Sequence, residues 1–354
     1  MQSLDEKTWK PIPMTALFSE FVRGKISSVS DELKLSDGVP YVGATDRNNG
    51  VLDYLKVDKA RIQRGNCITF IRDGQGSVGS SIYRATPFIA TVNTSSGYAS
   101  WLNQNTGLFV STASNQVKGK YGFGYKRKEK RLLAERIMLP VTDSGTPDYD
   151  YMAQYTSKMR KGMLMRYKTY VARQLSHLEY KEIPTLNEKE WKNFLIQDIF
   201  PKIQRGKRLK NADHVPGNMP YVSSTAINNG VDDYIEATDG TRVFENCISL
   251  ANSGSVGTAF YEPFSFVASD HVTSLKQEKA SKFIYLFLAS VIEKQGSNFN
   301  FNREINDVRI KKMQVMLPVD DSSEPDYAYM DQYAKNMMLR KYEQYLAFLD
   351  SRED

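Results

Sequence analysis

Two cysteines, Cys67 and Cys247, and three histidines, His177, His214 and His271, are all that 354 residues provide of these types. So few thiols exclude a disulfide framework or a thiolate metal cluster. No two histidines stand at the spacing of a zinc site, and His177 reads as a solvated residue on a helix. The two cysteines occupy matching places in similar strand-like runs, which marks them as small buried hydrophobes. Prolines never occur in pairs, so the Asn-Pro-Pro-aromatic loop with which a DNA adenine methyltransferase holds a flipped base is missing. The carboxylate cluster of a metal-dependent nuclease is present in letters only, at Pro147-Asp148 and Pro325-Asp326, and both pairs read instead as helix starts. No apolar run approaches the roughly 18–20 residues of a membrane span. Met1–Glu6 has no basic-then-apolar signal pattern, so the expectation is a cytoplasmic protein with no membrane partner.

What is present is ordinary in bulk and unusual in order. The chain is 41% hydrophobic and 25% charged, with 21 Tyr and 17 Phe, which suits about two globular domains. Net charge is +6 and unevenly spread: residues 1–182 hold 27 Lys+Arg against 17 Asp+Glu, and residues 183–354 hold 20 against 24. The basic half suits a polyanion, although charge alone decides little.

The chain repeats itself. Trp9-Lys10, Leu17-Phe18 and Arg23-Gly24-Lys25 return 182 residues later as Trp191-Lys192, Ile199-Phe200 and Arg205-Gly206-Lys207. Pro40-Tyr41-Val42, Asn48-Asn49-Gly50-Val51 and Asn66-Cys67-Ile68 return after 180 residues. Gly76-Ser77-Val78-Gly79, Leu139-Pro140-Val141 and Pro147-Asp148-Tyr149 return after 178. A period this long means two whole domains related by small loop changes.

Each half begins strand-rich. Cys67–Ile71 and Cys247–Leu250 are short runs of strand formers, and Gly-Ser-Val-Gly and Asn-Asn-Gly are turn signals. Gly74-Gln75-Gly76-Ser77-Val78-Gly79 spells G-x-G-x-x-G, but strand-like residues follow where a nucleotide site needs a helix, and Asn252 replaces Gly74 in the second copy. A hairpin turn is the expectation. A helix is expected around residues 282–292. Each half ends in a helix with a narrow apolar seam at steps of three and four, carried by Met152, Tyr155, Met159 and Tyr167 and again by Met330, Tyr333, Met337 and Tyr342. A helix of this kind either packs on its own domain or pairs with its twin. Some 24 residues would span about 36 Å, close to one turn of B-DNA, the separation of half-sites read by paired modules.

In this order the motifs resemble specificity subunits of type I restriction–modification systems, and more closely the recognition subunits of type IIB, BcgI-like systems. The resemblance covers nearly the whole chain. It rests on Trp191-Lys192 with Ile199-Phe200, Val39-Pro40-Tyr41-Val42, Asn48-Asn49-Gly50-Val51, Gly254-Ser255-Val256-Gly257, Val315–Val319 and Pro325–Met330. It implies an α+β chain of two tandem strand-rich target recognition domains (1–148 and 183–326). Each is followed by a long amphipathic helix (149–182 and 327–354), and the seam kept in both copies favours an antiparallel coiled coil of the two helices over packing of each on its own domain. The implied function is non-catalytic recognition of a bipartite site in double-stranded DNA. The helices serve as ruler and as docking surface for a methyltransferase/endonuclease subunit, through the eight seam residues just named. S-adenosylmethionine and Mg2+ would belong to that partner. The first helical segment departs from the pattern by three extra residues, Lys161-Gly162-Met163, where the glycine threatens a bend. A stand-alone DNA-binding regulator, or a specificity factor of another phage-defence system, remains the alternative.

Sequence-specific binding needs polar groups at base edges and cations at phosphates. Four regions supply them. Arg23 and Lys25, with Arg205, Lys207 and Arg208, flank a glycine that lets backbone approach the ligand; an exposed basic turn explains them equally well. Thr45, Arg47 and Asn48, with Thr225 and Asn228, border an Asn-Gly turn. Asn93 and His271 lie at the ends of apolar strands. Lys118, Lys120, Tyr121, Lys126 and Arg127 interleave aromatic and cation, against the amide-rich Asn300, Asn302 and Arg303. The contrast between basic and amide-rich loops predicts two different half-sites.

Overall fold

The computed structural model describes residues 2–27, 34–45, 47–56, 58–74, 76–238, 240–295 and 304–351. The chain divides into two compact units, residues 1–167 and 168–354.

In the first unit, strand Trp9–Pro13 pairs antiparallel with Arg136–Pro140, so the domain is closed by its own first and last strands. Between them lies a four-stranded antiparallel sheet in the order Glu20–Arg23, Thr94–Tyr98, Cys67–Ile71, Ser81–Arg84. A smaller sheet orders Val51–Leu55, Lys34–Val42 and Ile89–Ala90, the last pair parallel. Every residue of Cys67–Ile71 is buried, because both faces of this strand are covered. On one side Ile68 and Phe70 meet Met14, Leu17, Phe18, Val110, Leu132 and Ile137. On the other, Cys67 packs with Val42, Phe88, Ala90 and Tyr98 between the sheets. Burial pushes the Cys67 thiol up to about 11, as befits a cysteine used for its volume.

The helix Gln104–Asn115 lies against this core and starts on a reciprocal cap. The Asn103 side chain accepts from the Thr106 N–H, and the Thr106 hydroxyl accepts from the Asn103 N–H.

The second unit repeats the plan. Trp191–Leu195 pairs with Gln314–Pro318. One sheet orders Lys202–Arg205, Val272–Lys276, Cys247–Ala251 and Ala259–Glu262. The other orders Val231–Ile235, Pro216–Val222, Phe266–Ala268 and Val243–Phe244. Helix Lys282–Gln295 takes the place of Gln104–Asn115, and Cys247 is buried with Phe244, Phe266 and Ala268.

The repeated Trp-Lys pairs now have a reason. Each indole N–H donates to a leucine carbonyl five residues upstream, Trp9 to Leu4 at 2.9 Å and Trp191 to Leu186 at 2.8 Å. The Gly-x-Gly-x-x-Gly segment is the turn of an antiparallel hairpin between Cys67–Ile71 and Ser81–Arg84.

The long helices span Tyr149–Leu175 (27 residues) and Tyr327–Asp350 (24 residues). The first runs unbroken through Gly162 and is three residues longer than the second. Both starts are capped by the aspartate of Pro-Asp. Asp148 accepts from the Tyr151 N–H at 3.0 Å, and Asp326 from the Tyr329 N–H at 2.9 Å. Each carboxylate is also held by a lysine at 2.8 Å, Lys7 or Lys189. Burial raises the pKa of both acids, but these hydrogen bonds outweigh it and leave them below the ordinary value.

Residues 168–175 of the first long helix belong to the second unit, and there they run antiparallel to the second long helix. Lys168 pairs with Asp350 at 3.1 Å, the Tyr170 and Tyr342 rings meet edge to face at 6.3 Å, and the Lys181 N–H donates to Asn336 at 3.2 Å. Numbers climbing along one partner meet numbers falling along the other. Nearer their starts, both helices pack on their own domains.

Candidate nucleic-acid interface

In the first unit the four candidate regions converge on one turn, residues 72–74 and 76–80. Ser77 donates to the Ala44 carbonyl at 2.6 Å, bringing in the loop with Thr45, Arg47 and Asn48. The Arg72 N–H donates to the Asn93 carbonyl at 2.8 Å. Lys126 pairs with Asp73 at 2.7 Å, bringing in residues 118–128. Arg23 donates through Nε to the Val92 carbonyl at 3.3 Å, so the first region joins the Asn93 loop. Lys25, Arg47, Asn48, Asn93 and Lys120 are exposed around this hub.

The second unit gathers its counterparts in the same way. The Ser255 N–H donates to the Ser224 carbonyl at 3.0 Å, next to Thr225, and the Asn252 N–H to the His271 carbonyl at 2.8 Å. Ser253 Oγ lies 2.6 Å from His271 Nδ1 and orients the half-exposed ring. Arg205 donates to the Asp270 carbonyl at 2.6 Å and sits 3.7 Å from Asp307, while Lys207 reaches the Gly240 carbonyl at 3.1 Å. Arg208 and Asn228 are exposed. Asn300, Asn302 and Arg303 lie outside the described residues.

Local geometry explains the repeated turn. Asn48, Asn49 and Gly50 adopt φ of 47°, 54° and 75°, and Asn228, Asn229 and Gly230 adopt 51°, 53° and 77°. Asparagine and glycine are the residues that tolerate this left-handed region. Thr45 and Thr225 accept N–H bonds from Arg47 and Ile227, at 3.1 and 3.2 Å, and so brace the same turns.

Several expectations are corrected. Arg127 is completely buried and cannot meet a phosphate. It donates to the Gly79 carbonyl, to the Ser81 and Ser114 hydroxyls, and to Glu135, beneath the Phe70 and Tyr121 rings. Tyr121 is partly buried, with its hydroxyl donated to Glu135, so the domain absorbs it. The glycines of the Arg-Gly-Lys turns serve the chain's own backbone, not a ligand. A Cβ at Gly24 would stand 1.9 Å from the Thr91 carbonyl oxygen, and one at Gly206 would stand 2.1 Å from that of Ser269. Met152 and Met330 are fully buried in their own domain cores and face no partner.

Five of the other six seam residues line apolar grooves. In the first unit Tyr155, Met159 and Met163 with Trp9, Leu108 and Phe109 border one of about 490 Å³. Trp9 stacks on Phe109 and Tyr155 meets it edge to face. In the second unit Tyr333, Met337 and Tyr342 with Trp191, Leu286 and Phe287 border one of about 520 Å³, built on the same Trp–Phe–Tyr arrangement. Tyr167 is partly exposed further along its helix and lines neither groove.

Arg72 was not visible as a site residue in the sequence. Its Nε is buried with no hydrogen-bond partner among the described residues. Burial first, and the neighbouring Arg23 second, hold its pKa below the usual arginine value. The equivalent bonds from the Arg72 N–H to Asn93 and from the Asn252 N–H to His271 make Asn252 the structural counterpart of Arg72, which corrects its match to Gly74 in the sequence; Asn252 is buried and accepts from the Thr273 hydroxyl at 2.9 Å.

Comparison with known proteins fixes the family. The type I restriction modification DNA specificity domain matches residues 6–163 and again 188–345. The chain belongs to this family. It is 27% identical over 331 residues to the specificity subunit S.BcgI of a type II restriction enzyme from Heyndrickxia coagulans, covering 90% of this chain and 91% of that one. Two solved structures are similar. The type I restriction-modification S subunit from M. genitalium is 13% identical, with 99% of this chain and 94% of that chain covered and a TM-score of 0.47. The HsdS subunit from Thermoanaerobacter tengcongensis is 11% identical, with 98% and 92% covered and a TM-score of 0.34. The two family matches coincide with the two halves of the internal repeat, and the chain is a DNA specificity subunit of the restriction–modification kind. No described helix is long and apolar enough to cross a membrane.

Proposed function

We propose that this chain reads a bipartite, asymmetric site in double-stranded DNA, one half with each domain, and directs a methyltransferase/endonuclease subunit to it. The observation that carries this reading is the convergence, in each unit, of candidate polar and cationic loops on one hairpin turn. The hubs differ in chemistry: Arg72, Asn93 and Lys126 in the first, Asn252 and His271 in the second. Different donors and acceptors on one scaffold favour different base edges.

The two Trp–Phe–Tyr grooves support a docking role, one partner contact per unit. In this reading the chain is non-catalytic and works in the cytoplasm. S-adenosylmethionine and Mg2+ are bound by the partner.

The test is co-expression with a methyltransferase subunit of a restriction–modification system from the same genome. The two should co-purify and methylate a split sequence found by methylome sequencing. Met159→Glu and Met337→Glu together should abolish co-purification while DNA binding persists. A methyltransferase that ignores the chain, or methylates the same sites without it, refutes the proposal.

A further inference from the structure

In the first unit the most exposed large apolar side chain among the described residues is Phe123, at 95%. It stands at the tip of a two-residue turn. The Gly122 and Tyr125 N–H groups each donate to the other's carbonyl, at 3.2 and 3.0 Å, leaving Phe123-Gly124 outside. A Cβ at Gly122 or Gly124 would meet nothing within 4 Å, and the Lys126 ammonium lies 6.0 Å from the Phe123 ring centre.

The base of the turn is firmly mounted. The Tyr125 ring stacks on Tyr121 at 6.0 Å, and the Arg131 guanidinium lies 3.9 Å from the Tyr125 ring centre. Arg131 also donates to the Lys126 carbonyl at 2.7 Å, and Lys126 pairs with Asp73 at 2.7 Å. Around the ring in sequence stand Lys118, Lys120, Lys128 and Lys130 besides Lys126 and Arg131, with Glu129 the one acid between 118 and 131.

We propose that Phe123 is a wedge that enters the base stack of the DNA bound by this unit, while the lysines beside it hold the phosphates. The proposal rests on the DNA-reading function above. An apolar ring that separates two base pairs needs a stiff mount, so that it does not fold back on its own domain, and cations on either side to hold the backbone it strains. Both are present. The density of cations favours a polyanion over a protein surface as the occupant. Base steps differ in how easily they unstack, pyrimidine–purine steps most easily. The wedge therefore adds sequence preference at a step whose edges no side chain reads. At the 178-residue spacing Phe301 stands in the place of Phe123, in a segment outside the described residues.

The test uses the full chain with its methyltransferase subunit. The wild-type complex first selects its site from random-sequence duplexes, and 2-aminopurine then replaces adenines of the selected site one at a time. Wild type should raise the fluorescence at one step. Phe123→Ala should abolish the rise and weaken binding about tenfold, equivalent to about 1.4 kcal/mol, and Phe123→Trp should restore both. If wild type selects no sequence, the DNA-reading function fails and the wedge with it. If wild type selects a site that Phe123→Ala binds equally well, or if no position brightens, the wedge alone is refuted. Loss of the methyltransferase subunit from Phe123→Ala with DNA binding intact would assign the ring to the protein partner and overturn the proposal.

Discussion

Arg127 lies buried against Glu135 in the first unit, and the matching positions of the second unit, Ile305 and Met313, are both buried and apolar. One scaffold thus carries an internal ion pair in one copy and an aliphatic pair in the other.

This relationship makes a stability prediction. Arg127→Ile alone should destabilise the first domain by about 3–5 kcal/mol, because it leaves Glu135 buried without its cation. Adding Glu135→Met should recover most of that loss by recreating the pair found in the second unit. Urea unfolding followed by tryptophan fluorescence reads the difference, and equal losses in the single and double variants would contradict it.

Glu262 is a buried carboxyl whose Oε1 accepts from the Ser249 hydroxyl at 2.9 Å and whose Oε2 has no partner among the described residues. Burial pushes its pKa up to about 7. Its unfolded value is lower, so the unfolded chain loses this proton first as pH rises. The group therefore lowers stability progressively from about pH 4.5 to 7 and fully above that. Glu262→Gln should stabilise the second domain at pH 8 by up to about 3 kcal/mol, and little at pH 4.5. A melting-temperature gain independent of pH would show that ionisation is not the cause.

The aspartate caps act in the opposite pH range. Asp326→Ala should cost about 1 kcal/mol and raise amide exchange in the first turn of Tyr327–Asp350. Because the folded pKa of Asp326 is depressed, its stabilisation is present above the ordinary carboxylate range and is lost as pH falls through the depressed value. Wild type and variant should therefore converge in strong acid, which an acid titration of both measures.

Exposed cations and polar readers should separate in binding experiments. Lys25→Ala or Lys120→Ala should weaken matched and mismatched duplexes alike and reduce the salt slope by about one. His271→Ala should instead relax one base position, by about 1–3 kcal/mol. Fluorescence anisotropy over a salt series, together with reselection of the site, distinguishes the two. A uniform loss for His271→Ala would place it at the backbone.

Features set by neighbouring residues were readable before the fold was known. The Asn-Asn-Gly turns, the Pro-Asp helix starts and the twin cysteines follow from backbone preference and side-chain volume at one place in the chain. What misled was non-local. In sequence Arg127 belongs to a basic run and looks solvated. Its burial depends on Ser81, Ser114 and Glu135 arriving from three other segments. Arg72 carried no local signal, and only the fold brings Arg23 near it. Gly24 carried a correct signal, the need for close approach, attached to the wrong neighbour. The parallel pairing of Tyr41 with Ile89 joins residues whose local patterns say nothing of each other.

The pairing of Trp9–Pro13 with Arg136–Pro140 has a further consequence. Chain entry and exit lie side by side, so each reading head is a cassette. Recombination at those two places could install a head of different taste and leave the helices that follow it untouched. The word that is read would then change without any change to the rest of the chain.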